Sequence, residues 1–118
     1  MKIWLDDIRP APEGYEWCKS VIEFLLFYSH RLDEIEFMDF DHDAGDYVVE
    51  GGDYIEILKW LDGWYNNYLS YHKRVEDHHS ILLAETISKI KFRFHSANPV
   101  GVENMRRIIE RNGWEEVK

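Results

Sequence analysis

The sequence has 118 residues, 45% of them hydrophobic and 15% aromatic, which fits one domain spanning residues 1–118 with a substantial apolar core. Its 14 basic and 23 acidic residues give a formal net charge of −9, which disfavours binding to an extended nucleic acid duplex. No apolar run approaches the ~20 residues of a membrane span. Cys18 is the only cysteine, so we expect a cytoplasmic protein without an internal disulfide.

The chain opens with a short apolar strand at residues 2–5, which ends at the acidic pair Asp6 and Asp7. A cluster of breaking residues follows: Pro10, Pro12 and Gly14. Residues 15–18 then predict a second strand. The connection between these strands contains no helical pattern and is short for a parallel crossover, which usually needs a dozen or more residues. We therefore predict an extended crossover, with the first helix missing.

Helical spacing of apolar residues begins after Ser20, a favoured N-cap residue, and Glu23 follows three positions later as in a capping box. This helix is predicted to end near His30. Residues 36–40 form the third strand, which we expect at the centre of the sheet.

The middle of the chain predicts further helices around a polar segment. Asp53 is expected to cap a helix that Gly63 interrupts. Residues 71–79 are polar and indicate a solvent-facing bend, and residues 81–87 indicate another helical turn or two. We interpret residues 63–89 as an insertion or an extended helical region.

Residues 90–94 alternate as a fourth strand, and Pro99 leads into a last helix at residues 100–112 that Gly113 closes. Residues 114–117 form a final short strand. Strands that alternate with helices predict an α/β protein with a doubly wound parallel sheet. Ligands bind such sheets outside the carboxyl ends of the strands, where the strand order switches.

Polar residues follow three of the predicted strands at that edge. They are Asp6 and Asp7 after the first strand, Asp41, His42 and Asp43 after the third, and His95 and Ser96 after the fourth. Grouped carboxylates are costly to hold without a cation, and their oxygens suit Mg²⁺ or Mn²⁺. We therefore predict a divalent cation held by Asp6, Asp7 and Asp41, which would let a small phosphorylated ligand bind this acidic protein. The alternative for Asp6 and Asp7 is a loop capped by its own Asx turns.

His42 and His95 are the candidate proton carriers. Two imidazoles facing one pocket can serve as general acid and general base on a phosphodiester, or as metal ligands. Asp43 is expected to orient His42, and the neighbouring aspartates favour the protonated imidazolium. The alternative for each histidine is a buried ring satisfied by a carbonyl group.

The entrance to the last helix predicts an anion site. Free backbone amides near Asn98 and Gly101, together with the helix dipole, favour a phosphate, and Ser96 or Asn98 can add side-chain donors. Asn104, one turn further on, points either at the ligand or at solvent. An ordinary helix cap explains the same pattern equally well. Arg9 can clamp a phosphate with two hydrogen bonds, or form a surface ion pair with the acidic pair before it.

Three stretches carry a resemblance to a known family. They are LDDIRPAP at 5–12, FDHDAG at 40–45 and HSANPVGVENM at 95–105. In this order they span most of the chain, and the sequence resembles the cyclic-phosphate processing receiver domains. The resemblance implies a single-domain, three-layer receiver-like (flavodoxin-like) fold with a five-stranded parallel sheet. It also implies a remodelled pocket that acts on cyclic phosphates of nucleotides or RNA ends.

The same resemblance implies roles for individual residues. Asp6 and Asp7 would bind the metal, and Asp41 would lie where a receiver keeps its phospho-accepting aspartate. The added catalytic set would be His42, Asp43, His95 and Ser96. The sequence departs from the family at Asp39, where relatives favour a small residue, and at Ala44, where they tend to have leucine.

These residues leave three functions open. The leading hypothesis is a metal-assisted phosphoesterase, a hydrolase in which the cation compensates the acidic pocket. The second is a receiver-like module that senses a nucleotide or phosphate without chemistry. The third is a phospho-accepting response-regulator receiver with Asp41 as acceptor. An ordinary receiver has a lysine after its last strand and then a fifth helix, whereas Lys118 is the last residue here, which we expect to disfavour this role.

Overall fold

The computed structural model describes residues 1–72 and 84–118, with side chains at 1–67 and 84–118. Its strands are β1 (Lys2–Leu5), β2 (Tyr15–Cys18), β3 (Phe37–Phe40), β4 (Lys91–Phe94) and β5 (Glu115–Glu116). They form one sheet in the order β2-β1-β3-β4-β5, in which every neighbouring pair is parallel. This confirms the predicted five-stranded parallel α/β sheet, and the order is that of flavodoxin-like folds.

The link between β1 and β2 contains no helix, as predicted. Residues 6–14 cross between the strands as bends and turns. Two indole N–H groups hold this link: Trp17 Nε1 donates to the carbonyl of Asp6 at 2.7 Å, and Trp4 Nε1 donates to the carbonyl of Arg9 at 2.9 Å. These bonds satisfy backbone oxygens that a helix would otherwise satisfy.

The described helices lie on one face of the sheet, so the described residues form two layers rather than the three that were predicted. These helices are α1 (Val21–Phe27), α2 (Ile55–His72), α3 (helical at 84–88) and α4 (Pro99–Arg111). The connections from β2 to β3, β3 to β4 and β4 to β5 all move in the same direction across the sheet, and right-handed crossovers in one direction place their helices on one face. Buried helix residues accordingly form a single core with alternate strand residues: Ile3, Leu5, Met38, Phe40 and Phe92.

Helix α1 begins at its predicted cap. Ser20 Oγ accepts a hydrogen bond from the backbone N–H of Glu23 at 3.0 Å, and the Glu23 carboxylate accepts one from the N–H of Lys19 at 3.1 Å. The helix ends at Phe27, earlier than predicted. The backbone of Tyr28 leaves the helical region (φ −123°, ψ −20°), and the chain continues as a 3-10 helix over Ser29–Glu34.

Helix α2 differs from its prediction at both ends. Asp53 does not occupy the cap position, because the helix begins at Ile55, and the Oδ1 of Asp53 accepts instead from the backbone N–H of Ala44 at 3.0 Å. Gly63 does not interrupt the helix, since one glycine costs only about 1 kcal/mol relative to alanine and the neighbouring Leu61 is fully buried. Residues 71 and 72 are helical rather than bent, and residues 73–83 of the predicted bend and helix lie outside the described residues.

Helix α4 and the last strand follow the prediction closely. Pro99 occupies the first turn of α4, and Gly113 beyond its end has a φ of 69°, a conformation that glycine adopts without strain. The ladder to β5 is extended past the strand by the N–H of Val117, which donates to the carbonyl of Phe92 at 2.7 Å. The interpretation of residues 63–89 as an insertion stays a prediction, as does the single-domain organisation.

Candidate functional site

Three adjacent strands, β1, β3 and β4, deliver the predicted site residues to one edge of the sheet. The N–H of Asp41 donates to the carbonyl of Leu5 at 2.8 Å, and the N–H of His95 donates to the carbonyl of Phe40 at 2.9 Å, so these strands end level with one another. In the sheet, β2 lies on one side of β1, whereas β3, β4 and β5 lie on the other side. The strand order therefore switches between β1 and β3, and ligands bind such sheets at this switch point.

Asp6, Asp7 and Asp41 form an acidic cluster at this edge. One carboxylate oxygen from each lies within 4.8 Å of the others. Burial raises the pKa of the Asp7 carboxyl, and the charges of Asp6 and Asp41 raise it further. A cation relieves this repulsion, and carboxylate oxygens are the ligands that Mg²⁺ and Mn²⁺ prefer. The donor set therefore fits a divalent cation.

His95 is held between two buried carboxylates, an arrangement we call the His95 clamp. Its Nδ1 lies 2.7 Å from Oδ1 of Asp39 and its Nε2 lies 2.9 Å from Oδ2 of Asp6, and each aspartate is 1% exposed. The imidazole also stacks on Trp4, with ring centroids 3.8 Å apart and planes within 1° of parallel. Burial acts to lower the pKa of His95, but its hydrogen bonds to Asp39 and Asp6 outweigh this and raise it.

The clamp restricts the chemistry that His95 can perform. An imidazolium that donates both N–H groups to carboxylates has no lone pair with which to accept a proton. The ring of His95 is bonded to two carboxylates, whereas the alternative interpretation expected a buried ring bonded to a carbonyl group. The geometry favours a role in holding Asp6, while a direct catalytic role for His95 stays a prediction.

Asp6 is itself nearly saturated with hydrogen bonds. Its Oδ1 accepts from the backbone N–H groups of Ile8 and Arg9, each at 2.9 Å, and its Oδ2 faces His95. Burial acts to raise the pKa of Asp6, but the two backbone bonds and the contact with His95 together outweigh it and lower the pKa below its ordinary value. Three of about four acceptor positions are filled, which leaves roughly one for a cation. The two backbone hydrogen bonds are those of the Asx turns that the alternative interpretation expected, and they leave room for Asp6 to bind a cation as well.

Asp39 is a site residue to which the sequence pattern gave no role. Besides His95, it faces Nη1 of Arg93 at 3.9 Å, its register partner on β4. Aspartate is rarely buried unless it is paired. Its place between the apolar residues Met38 and Phe40 on a central strand was therefore the signal that a cationic partner exists.

His42 lies beside the site rather than in it. Its Nδ1 is 2.9 Å from Oδ1 of Asp43, as predicted, and 3.4 Å from Nδ2 of Asn98. The ring packs on the backbone of Gly101, where a Cβ would lie 2.5 Å from the His42 Cδ2. A cleft of about 460 Å³ opens at this edge, and neither imidazole lines it, so the two rings do not face that cleft together as expected.

The entrance to α4 is a capped helix start. Ser96 Oγ accepts from the N–H of Asn98 at 3.1 Å, and Asn98 Oδ1 accepts from the N–H of Gly101 at 2.9 Å. The amide of Gly101 is therefore not free to bind a phosphate, which corrects that prediction. The Ser96 hydroxyl proton and at least one amide proton of Asn98 remain available as donors. Asn104 is exposed and does not line the cleft.

The same cleft of about 460 Å³ opens beside these groups, a volume within the range of small-molecule sites. It is lined by Arg9, Asp41, Asp43, Ser96, Ala97, Asn98 and Pro99. Arg9 is half-exposed; its Nη1 donates to the carbonyl of His95 at 3.0 Å and lies 3.8 Å from Oδ2 of Asp6. Arg9 thus makes the ion pair that its alternative interpretation expected and also contributes to the cleft.

A second group of candidate metal ligands consists of His42, Asp43 and Asp53. All three of its members are already bonded, since Asp53 accepts from the N–H of Ala44 and His42 faces Asp43. The acidic cluster of Asp6, Asp7 and Asp41 consists of three carboxylates, so among the described residues it is the better match for a divalent cation that prefers oxygen ligands.

A parallel sheet in this strand order, with carboxylates at the ends of its first and third strands, defines a receiver-like α/β protein. The chain belongs to the cyclic-phosphate processing receiver domain family, whose model matches residues 1–111. Comparisons with curated proteins and with solved structures found no match. The family match confirms the resemblance carried by the three sequence stretches. None of the described helices is both long enough and apolar enough to cross a membrane.

Proposed function

We propose that this protein is a divalent-cation-dependent phosphoesterase that opens cyclic phosphates of nucleotides or RNA ends. The observation that carries the proposal is the acidic cluster of Asp6, Asp7 and Asp41 beside a cleft that also contains Arg9. Carboxylates and a guanidinium at one cleft suit a cation and a phosphate ester bound together. The family description, which names cyclic-phosphate processing, supports the same substrate class.

The cation would be held by Asp6, Asp7 and Asp41, with Mg²⁺ and Mn²⁺ as the candidates. When bound, such an ion supplies charge that polarises phosphoryl oxygens and offsets the acidic cluster. Asp7 carries a raised pKa because it is partly buried near two other carboxylates, and this is the charge crowding that a cation removes.

Arg9, Ser96 and Asn98 would bind the phosphate oxygens. One guanidinium nitrogen of Arg9 is committed to the carbonyl of His95, which fixes the side chain while its other N–H groups stay available. Ser96 and Asn98 each use an oxygen as acceptor in the helix cap, so their donor groups can face the ligand.

Asp43 is the group to which we assign proton transfer. It lines the cleft, is 60% exposed, and is bonded to His42, which lies behind it. In the reaction a water oxygen forms a bond to phosphorus, and one ring P–O bond breaks. Asp43 takes the proton from the water and passes it to the leaving oxygen, so the products are a phosphomonoester and a free hydroxyl.

The experiment is incubation with a 2′,3′-cyclic mononucleotide and Mg²⁺ or Mn²⁺, followed by ³¹P NMR. Asp41→Asn should abolish hydrolysis and weaken Mn²⁺ binding in calorimetry, and Asp43→Asn should slow hydrolysis by about 10²-fold or more. Asp46→Asn is the matched control, because Asp46 is an exposed aspartate on the nearby 3-10 helix Gly45–Val49. An Asp41→Asn protein with wild-type hydrolysis contradicts the assignment.

A second candidate function is a non-catalytic sensor of the same ligands. It is favoured by the His95 clamp, which commits both nitrogens of the best-placed imidazole to buried carboxylates. A sensor would bind the cyclic nucleotide tightly in the same incubation and return it intact. Recovery of the ring-opened product supports the phosphoesterase instead.

A further inference from the structure

One face of the sheet is open among the described residues. Helices α1 to α4 pack on the face that carries Ile3, Leu5 and Met38. The link from β1 to β2 crosses the sheet in the opposite direction from the other connections. A right-handed crossover in that direction lies on the opposite face of the sheet, and this link contains no helix. Within residues 1–72 and 84–118, the second face is therefore covered only by this short link.

Four aromatic side chains stand on this open face: Trp4, Tyr15, Trp17 and Phe37. The strand register places Trp4 beside Trp17, and it places Lys2 between Tyr15 and Phe37. The rings contact one another edge to face, with centroids 6.0 Å apart for Trp4 and Tyr15 and 6.2 Å apart for Tyr15 and Phe37. All four are partly exposed, and none belongs to the apolar core. Trp4 stacks on His95 and the Lys19 ammonium lies 4.3 Å from the ring centroid of Trp17, so Tyr15 and Phe37 are the rings best placed to stack with a ligand.

The charges of the open face are mostly positive. Lys2, Lys91 and Arg93 are exposed on it, and the Lys2 ammonium lies 5.5 Å from the ring centroid of Tyr15. Two acidic groups lie in the same register rows: Glu115 is 3.7 Å from Lys91, and the buried Asp39 is 3.9 Å from Arg93. The face thus carries three cations against two carboxylates in a protein with a net charge of −9, and this local excess of positive charge favours an anionic partner.

We propose that the open face binds single-stranded RNA whose cyclic-phosphate end enters the cleft. Aromatic rings on an exposed sheet stack with unpaired bases, and neighbouring lysines and arginines contact the phosphates. The face adjoins the cleft, because Nε1 of Trp4 donates to the carbonyl of Arg9, and Arg9 lines the cleft. The choice of a cyclic-phosphate end rests on the proposed function, whereas the RNA-binding face does not.

Two other occupants fit less well. A second copy of this chain would bring two faces of the same positive charge together. An acidic peptide would satisfy Lys2, Lys91 and Arg93, but it gives no reason for four partly exposed rings in one patch. RNA uses both features at once.

The test measures fluorescence anisotropy of a labelled ten-nucleotide single-stranded RNA that ends in a 2′,3′-cyclic phosphate. Phe37→Leu and Tyr15→Leu keep apolar bulk and remove one stacking ring each, and each should weaken binding at least about fivefold. Lys91→Gln should lower the slope of log affinity against log salt by about 0.7. Phe27→Leu is the matched control, since Phe27 is 60% exposed on α1, on the other face of the sheet, and should bind RNA as the wild type does.

The outcomes separate this inference from the proposed function. RNA binding that is unchanged in Phe37→Leu and Tyr15→Leu, or no tighter than binding of a free cyclic mononucleotide, overturns the inference. Sedimentation that shows a wild-type dimer lost in Phe37→Leu also overturns it, because the face then serves self-association. RNA binding that depends on Phe37, in a protein that hydrolyses no cyclic phosphate, supports the inference and refutes the phosphoesterase.

Discussion

Replacing Gly101 by alanine would test the packing of His42 against the start of α4. Alanine normally stabilises a helix by about 1 kcal/mol relative to glycine. Here the added Cβ would lie 2.5 Å from Cδ2 and 2.8 Å from Nδ1 of His42, whereas carbon atoms in ordinary contact are roughly 3.5 Å apart. The imidazole would have to move by roughly 1 Å, against its bond to Asp43. Such overpacking costs about 1–3 kcal/mol, so the net expectation is a loss of about 1 kcal/mol.

Urea unfolding followed by circular dichroism measures this change. Gly63→Ala is the matched control: Gly63 is exposed within α2, no atom lies within 4 Å of its added Cβ, and the variant should gain up to about 1 kcal/mol. In a His42→Ala background the ring is gone, and Gly101→Ala should then stabilise as Gly63→Ala does. A Gly101→Ala protein that is as stabilised as Gly63→Ala in the presence of His42 would refute the packing.

Three further predictions concern single side chains. Because the pKa of His95 is raised on folding, its contribution to stability is fully present below about pH 6.5 and is lost as the pH rises through the folded pKa. His95→Gln should remove this part of the pH dependence of the urea unfolding midpoint. Gly45 has a φ of 56°, and a Cβ there would lie 3.0 Å from Cγ of Asp7, so Gly45→Ala should cost about 1–3 kcal/mol in unfolding and weaken Mn²⁺ binding in calorimetry. Arg106 binds Glu116 through two hydrogen bonds of 2.7 and 2.9 Å, which lower the pKa of Glu116; the stability this contributes is present above about pH 4.5 and lost as the pH falls through the folded pKa. Arg106→Lys should therefore cost about 1 kcal/mol at pH 7 and almost nothing at acid pH, and equal losses at both would contradict the pairing.

Much of the architecture was readable in the sequence. Apolar runs that stop at Asp6, Asp41 and His95 predicted three strand ends, and parallel pairing gathers such ends at one edge whatever the details of packing. The absence of a first helix followed from Pro10 and Pro12, which break the pattern within a link that is too short for a helical crossover. These inferences succeeded because they depend on local chain chemistry.

The hydrogen-bond partners at the site were less predictable. His95 was assigned a proton-transfer role from its position after a strand, but both of its nitrogens are used by Asp39 and Asp6, which are 56 and 89 residues away in the chain. Gly101 was assigned a free amide, but the side chain of Asn98 had already reached it. Whether a polar group is free to bind a ligand depends on which side chains surround it in the folded protein. The patterns that predict strands and helices do not identify these neighbours.

The two edges of the sheet bear on how this protein resists aggregation. An edge strand presents unpaired N–H and C=O groups that can capture a strand of another molecule. The edge strand β5 is only two residues long, and both residues are glutamates. The other edge strand, β2, is four residues long and carries the exposed Glu16. Two such edges meeting would place carboxylates side by side in a chain that already carries an excess of negative charge. The short edge strands and their negative charge thus disfavour pairing of either edge of this open sheet with another molecule.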